Sequence, residues 1–500
     1  MTKMKEDGTW AGDLLNRHED AAFLEPFLVN RIDDRGLAGQ SRSFVLNIDA
    51  AWGEGKSFFL ERFAKQLRKK NYLVAEVNAW HDDHADDPLL AVISAIDDAV
   101  APALKKKTAV KHSWRTVKHS GAKIAVAAMK GAAIHWARKG LGEGVDAIVD
   151  GFADEPMASE TVEIITASQD AAFEQFDEML TVQAEHILEK FREEKKTIES
   201  FRSELSNFLS KLQSNAFQTP LFVLVDELDR CRPPYAIKLL ERVKHLFEID
   251  NVIFVIATDT DQLQHSIKAV YGSGFDSPRY LRRFFDRTYV FPKPAFDAFV
   301  RSLLRRFPLP EEKVSLPFGE DLEEFLVSAF SHFDLGPRDV EQAYDLLRTV
   351  VTSLQPQLRM ELVVLLPMVI GHQIGIEPAF TRDFASAMNS IHGLELGGSD
   401  RWLVKLASAR RGGMESPPRE IAYLDLFRQA TNLCTVPLSN FLNQTSDDDP
   451  AFDWAWRVAS NELQVLHNNS YAPRNPPHSI MCQYPSLIAM AGRLRLPDSN

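Results

Sequence analysis

An α/β fold built on a parallel sheet is predicted by two features of the sequence. Four continuous apolar, β-branched-rich runs occur at Ser43–Ile48, Tyr72–Val77, Leu221–Val225 and Val252–Ala257, and segments of helical period separate them. Continuous rather than alternating apolar character marks strands covered on both faces. Strands alternating with helices imply right-handed crossovers. A fifth short run, Thr288–Phe291, ends at the breakers Pro292 and Pro294. Pro233 and Pro234 open one helix, in which Ile237, Leu240, Val243 and Phe247 recur on one face.

The chain has 500 residues, 45% hydrophobic and 25% charged, enough for several domains with a sizeable core. Its net charge of −13 argues against a surface that coats nucleic acid throughout. Three distant cysteines suggest neither a disulfide framework nor a zinc cluster. The polar first thirteen residues do not read as a secretory signal, and no run predicts a transmembrane helix. A cytoplasmic protein, with a peripheral membrane site as the alternative, is the expectation.

Chemistry concentrates at two strand ends. The run SFVLNI leads into Asp49-Ala50-Ala51-Trp52-Gly53-Glu54-Gly55-Lys56-Ser57 and then a helix. A strand, a glycine-bearing turn, Lys-Ser and a helix form the Walker A context. The glycines let Trp52, Gly53, Glu54, Gly55, Lys56, Ser57 and Phe58 wrap their backbone N–H groups around phosphate, aided by the helix dipole. Lys56 would reach the β/γ-phosphates and Ser57 would ligate Mg²⁺. The first glycine of G-x-x-x-x-G-K-S/T is Ala50 here, a cost of about 1 kcal/mol if the position needs positive φ. LFVLVDELDR then supplies a Walker B context, with Asp226 for Mg²⁺ and Glu227 as general base. Thr258, at the end of the fourth run, is a candidate γ-phosphate sensor, and its neighbour Asp259 reads equally well as a helix N-cap.

These pieces, in order, resemble the KAP family of P-loop NTPases, within the AAA+-related ATPases. The resemblance rests on Asp13–Arg17 (Asp-Leu-Leu-Asn-Arg), the Trp-containing P-loop and Asn78-Ala79-Trp80. VDELDRCRPPYAIKLLERVKHLF, NVIFVIATD, Arg279–Pro294 and Gly336-Pro337-Arg338-Asp339 extend it to about residue 350. It implies ATP as ligand and hydrolysis that drives a conformational switch or assembly platform for a partner effector, with anti-phage defence among the family's roles. It also implies Arg338 as a sensor arginine, and Arg282, Arg283 and Arg287 as candidate fingers for a neighbouring copy, hence self-association. The alternatives are a nucleotide-binding scaffold with little turnover, or a tether acting through a basic insert.

That insert holds ten Lys or Arg and no Asp or Glu between Lys105 and Gly142. Lys105–Arg138 would suit an anionic membrane surface, nucleic acid or an acidic partner as well as simple packing. Five divisions follow: an N-terminal part of the core (1–87), a helical insertion (88–219), the remainder of the core (220–294), a helical lid and C-terminal domain (295–467), and a Pro-rich tail (468–500). His81 and His84, among Asp82, Asp83, Asp86 and Asp87, read as a solvated loop rather than a metal site.

Overall fold

The computed structural model describes residues 8–84, 87–104, 112–118, 120–121, 192, 195–212, 217–244, 246, 249–292, 295–316, 321–353, 358–389, 402–409, 415–445, 449–468 and 477–493. It divides into two units, Met1–Pro292 and Lys293–Asn500.

The first unit runs α1 (Arg17–Leu37), β1 (Ser43–Asp49), α2 (Lys56–Lys69), β2 (Tyr72–Asn78) and α3 (Pro88–Leu104). It continues through helical residues 112–118 and 195–212 to β3 (Gln218–Asp226), α4 (Pro233–Lys244), β4 (Val252–Thr258), α5 (Thr260–Tyr271), α6 (Ser277–Leu281) and β5 (Arg287–Val290). All five strands are parallel, in the order β2-β3-β4-β1-β5. From β1 to β2 the chain passes over two strands in one direction; every later step runs the other way. Right-handed crossovers therefore put α2 on one face and α3, α4 and α5 on the other.

The burial agrees. Phe59 and Phe63 of α2 pack with Leu24 and Leu28 of α1 against Ile48, Phe222, Leu224, Val255 and Ala257. The opposite residues Val45, Val223, Val225, Phe254 and Ile256 meet α3, α4 and α5. Every residue of β4 is buried, which explains the continuous apolar run.

Of the basic insert, residues 112–118 and 120–121 are described; the rest of Lys105–Arg138 lies outside the described residues. Trp114 donates its indole N–H to Asp97 of α3 (2.7 Å) and packs on Phe208. Lys118 also pairs with Asp97 (2.7 Å). The sequence sets Phe173, Phe176, Leu180, Ile187, Phe191, Ile198, Phe201, Leu205, Phe208 and Leu212 on roughly one helix face; of these, Phe201, Leu205, Phe208 and Leu212 form a buried stripe, and Phe173 to Phe191 lie outside the described residues. The described residues of the 88–219 segment fall in the first unit.

The second unit contains α7 (Asp297–Arg306), β6 (Val314–Ser315), α8 (Leu322–His332), α9 (Pro337–Ser353), β7 (Met360–Glu361) and α10 (Leu362–Gln373). After them come α11 (Arg382–Asn389), β8 (Leu403–Ala409), β9 (Glu415–Ala422), α12 (Tyr423–Thr435), α13 (Leu438–Leu442), α14 (Pro450–Asn468) and α15 (Tyr484–Ala491). Asp321 caps α8 through the Glu323 and Glu324 amides. Residues Leu362–Gly371 of α10 are all buried, so it forms the centre of the unit.

Two differences from the sequence reading appear. An antiparallel hairpin, β8–β9, interrupts the helices; Pro417 and Pro418 within β9 hid its strand character. The supposed Pro-rich tail carries α15, with Tyr484, Leu487 and Ile488 buried.

Among the described residues of this unit, two carboxylic acids, Glu361 and Glu462, are buried. Glu361 receives hydrogen bonds from the side chains of Ser315 and Trp454, and its N–H donates to the Tyr484 hydroxyl (2.8 Å). Glu462 accepts from the Ser479 hydroxyl (3.0 Å). Loss of water around them pushes Glu361 up to about 7 and Glu462 up to about 8. Both acids therefore hold protons in the fold that they release when unfolded. Their contribution is fully present below the ordinary carboxylate range of 4.5 and is lost as pH rises through 7 and 8. Thermal unfolding should show the second unit losing stability from about pH 5 to about pH 8, with a flatter profile in Glu361→Gln and Glu462→Gln. An unchanged slope in both variants would assign the dependence elsewhere.

Candidate nucleotide site

The site grows from four strand ends that the sheet register aligns. Asp49 of β1 stands beside Thr258 of β4, and Asn78 of β2 beside Asp226 of β3. Crevices at the carboxyl ends of parallel strands are where α/β sheets bind ligands.

Beyond Asp49 the chain turns through residues 50–55 and enters α2 at Lys56. Gly53 and Gly55 hold φ of 88° and 86°, a region that only glycine enters at little cost. Ala50 is not among the residues of positive φ. Its N–H donates to the Thr258 carbonyl (3.1 Å), and its methyl, 6% exposed, joins the apolar cluster under α2. The strain expected of an alanine at the first glycine position is therefore absent.

Lys56 Nζ spans the turn, donating to the carbonyls of Ala50 (2.6 Å) and Ala51 (3.3 Å). Glu54 Oε2 accepts from the Ala51 amide (3.1 Å). The Ser57 hydroxyl hydrogen-bonds the Asp226 carboxylate. Sheet alternation explains this contact: Asp226 continues the Phe222 and Leu224 side of β3, which faces α2. Burial raises the Asp226 carboxyl above its ordinary range, against the opposing effect of its hydrogen bonds.

Glu227 is left-handed, φ 59° and ψ 29°, a conformation that costs a non-glycine residue on the order of 1 kcal/mol. Both carboxylate oxygens are engaged. Oε2 accepts from Asn78 Nδ2 (2.8 Å), and Oε1 pairs with Arg230 (2.7 Å). The Arg230 guanidinium lies 5.8 Å from the Trp52 ring and 5.6 Å from the Trp80 ring. Trp52 donates its indole N–H to Asp229 (2.6 Å), whose other oxygen is buried without a partner. Asn78, Trp80, Asp229 and Arg230 thus surround Glu227. Their sequence signal was a polar residue ending an apolar strand and tryptophans beside both turns.

Thr258 stands elsewhere. It continues the Phe254 and Ile256 side of β4, away from α2, and is 0% exposed. Its hydroxyl donates to Asn47 Oδ1 (2.8 Å). In this arrangement its hydroxyl fastens β4 to β1. Asp259 caps α5, accepting from the Gln262 amide (3.1 Å).

Arg282 and Arg283 are exposed just after α6, and Arg287 is exposed at the start of β5. Arg338 opens α9 in the second unit. In the acidic loop, Asp83 accepts from the backbone N–H of Arg232 (2.8 Å) and its Nε (2.9 Å), and Asp87 from the Leu89 amide. Among the described residues no group of His, Cys, Asp and Glu is arranged to hold a metal by itself.

The sequence profile of the KAP family P-loop domain matches residues 28–304. No curated protein matches the chain.

Since Ala50 is unstrained, Ala50→Gly should add freedom to the unfolded chain and lower stability by about 0.5–1 kcal/mol in denaturant titration. Greater stability in that variant would mean that the loop does strain this position.

Proposed function

The chain belongs to the KAP family of P-loop NTPases, and we propose that it binds ATP with Mg²⁺ at the 50–58 turn and hydrolyses it to drive a conformational switch. The observation that carries this reading is the hydrogen bond between Ser57 and Asp226, beside Lys56 at the mouth of a glycine-bearing turn.

The donor set suits the ligands. A hydroxyl and a half-buried carboxylate are hard oxygens that fit Mg²⁺, and a carboxylate whose pKa is raised by burial gains from a cation. Bound there, Mg²⁺ would neutralise charge on the phosphates. Lys56 supplies a second positive charge, and the backbone from Trp52 to Phe58 supplies N–H donors. Glu227 accepts the proton of the attacking water as general base once one oxygen leaves Asn78 or Arg230. The absence of an Asn-Lys-x-Asp motif favours ATP over GTP.

A second reading, a nucleotide-binding scaffold with slow turnover, draws support from the doubly bonded Glu227. Ala50 gives it none. In either case the partners we propose are further copies of the chain and an effector protein, in the setting of anti-phage defence that the family suggests. Arg282, Arg283 or Arg287 would serve a neighbouring site, and Arg338 would sense the γ-phosphate. A cytoplasmic location, with membrane or nucleic-acid tethering through Lys105–Arg138, completes the proposal. No described helix is long and apolar enough to cross a membrane.

Phosphate-release assays test the reading. Lys56→Ala should lose ATP binding. Glu227→Gln should bind ATP normally while kcat falls by roughly 100-fold or more. Normal turnover in both variants would sink the proposal. The raised pKa of Asp226 sets a pH sign: it takes up a proton at higher pH than an ordinary aspartate and is then lost as a ligand. Mg²⁺ affinity should therefore fall on acidification at a higher pH than an ordinary aspartate ligand would give, a trend that Asp226→Asn, already weak, should lack.

A further inference from the structure

Arg17 ends the Asp-Leu-Leu-Asn-Arg segment, which the nucleotide site leaves unexplained. Asp13 accepts from the Arg17 and His18 amides (both 2.9 Å), and Asn16 is left-handed, so α1 starts abruptly. The start lies against the P-loop: a Cβ placed on Gly55 would come within 3.5 Å of Leu15 Cδ1.

The Arg17 side chain is 1% exposed. Nη2 donates to the Glu54 carbonyl (3.0 Å) and Nη1 to Asp20 (3.3 Å). The guanidinium carbon stacks 3.8 Å from the centre of the Phe291 ring. Asp20 is held from its other side by the Tyr289 hydroxyl (2.6 Å). Burying a guanidinium is costly even when it is paired, so the fork must hold something that needs fixed geometry.

Its target is one peptide group. Glu54 lies between Gly53 and Gly55, and a peptide joined to glycine rotates readily. Peptide planarity points the Glu54 C=O and the Gly55 N–H in opposite directions. Holding the carbonyl on the Arg17 side therefore aims the Gly55 N–H the other way, into the turn. The adjacent positive charge also polarises the peptide and strengthens that N–H as a donor.

We propose that Arg17 is a positioning residue for phosphate binding: it presets the Gly55 N–H through the Glu54 carbonyl and touches no part of the nucleotide. The proposal rests on the reading that this turn binds ATP.

Calorimetric titration of the full chain with Mg-ATP and with Mg-tripolyphosphate tests it. The double variant Arg17→Met with Asp20→Asn avoids stranding a buried carboxylate. Its affinity for both ligands should fall by roughly tenfold, the scale of one lost charge-assisted hydrogen bond. KM for ATP should rise in step while kcat at saturation stays near wild type, because ground state and transition state lose the same contact. Arg17→Lys keeps the charge but loses the fork, and should bind more weakly than wild type. It also carries the test if the double variant does not fold. Wild-type affinity in Arg17→Lys, or in the folded double variant, would overturn the proposal. So would weakened ATP binding with unchanged tripolyphosphate binding, which would place Arg17 on the base or ribose. Lys56→Ala is the control: if it binds ATP as well as wild type, the site reading falls and this proposal with it. If only the Arg17 variants are normal, this proposal alone falls.

Discussion

The parallel register of β1, β3 and β4 is the constraint on which everything else in the first unit depends. Side chains alternate across a strand, so register and parity together decide what each strand end offers. Asp226 falls on the α2 side and reaches Ser57. Thr258 falls on the other side and is sealed against Asn47. A shift of one residue in β3 would turn Asp226 to the opposite face of the sheet, away from Ser57. The apolar residues that fix this register therefore serve the site as directly as the polar ones. Phe222 and Leu224 anchor β3 on one side, Val223 and Val225 on the other.

Much of this was legible in the sequence because the signals are local. A strand buried on both faces has to be apolar throughout, and four such runs became β1, β2, β3 and β4. A phosphate-binding turn needs glycines, and Gly53 and Gly55 carry the positive φ angles. What stayed hidden depends on pairing between distant segments. The role of Thr258 follows from which face of β4 meets α2, and Arg230's hold on Glu227 follows from a turn geometry set by a left-handed residue. Arg17 could be seen as part of a motif, but its hydrogen bond to Glu54 joins residues far apart in sequence. Ala50 misled because a motif records which residue is usual, whereas strain depends on φ, which here needs no glycine.

In the second unit the misreadings had another cause. Prolines are reliable breakers only where the backbone N–H is needed. Pro417 and Pro418 sit in a two-stranded hairpin whose register shifts between Leu406 and Ser408, so the ladder tolerates them. Glu361 and Glu462 are equally unmarked in sequence, since nothing in their neighbours announces that packing will strip their water. Burial converts two ordinary carboxylic acids into groups that titrate near neutrality.

Trp52 has one more implication. Its indole is 49% exposed, its N–H is tied to Asp229, and its ring lies beside the Arg230 guanidinium, all within the P-loop itself. An indole's emission responds to solvent and to neighbouring charge. The chain therefore carries an intrinsic fluorophore, one of eight tryptophans, where the 50–58 turn meets Asp229 and Arg230. Rearrangement of the loop can be followed by light, in real time and without a label, against a Trp52→Phe background that removes only that signal.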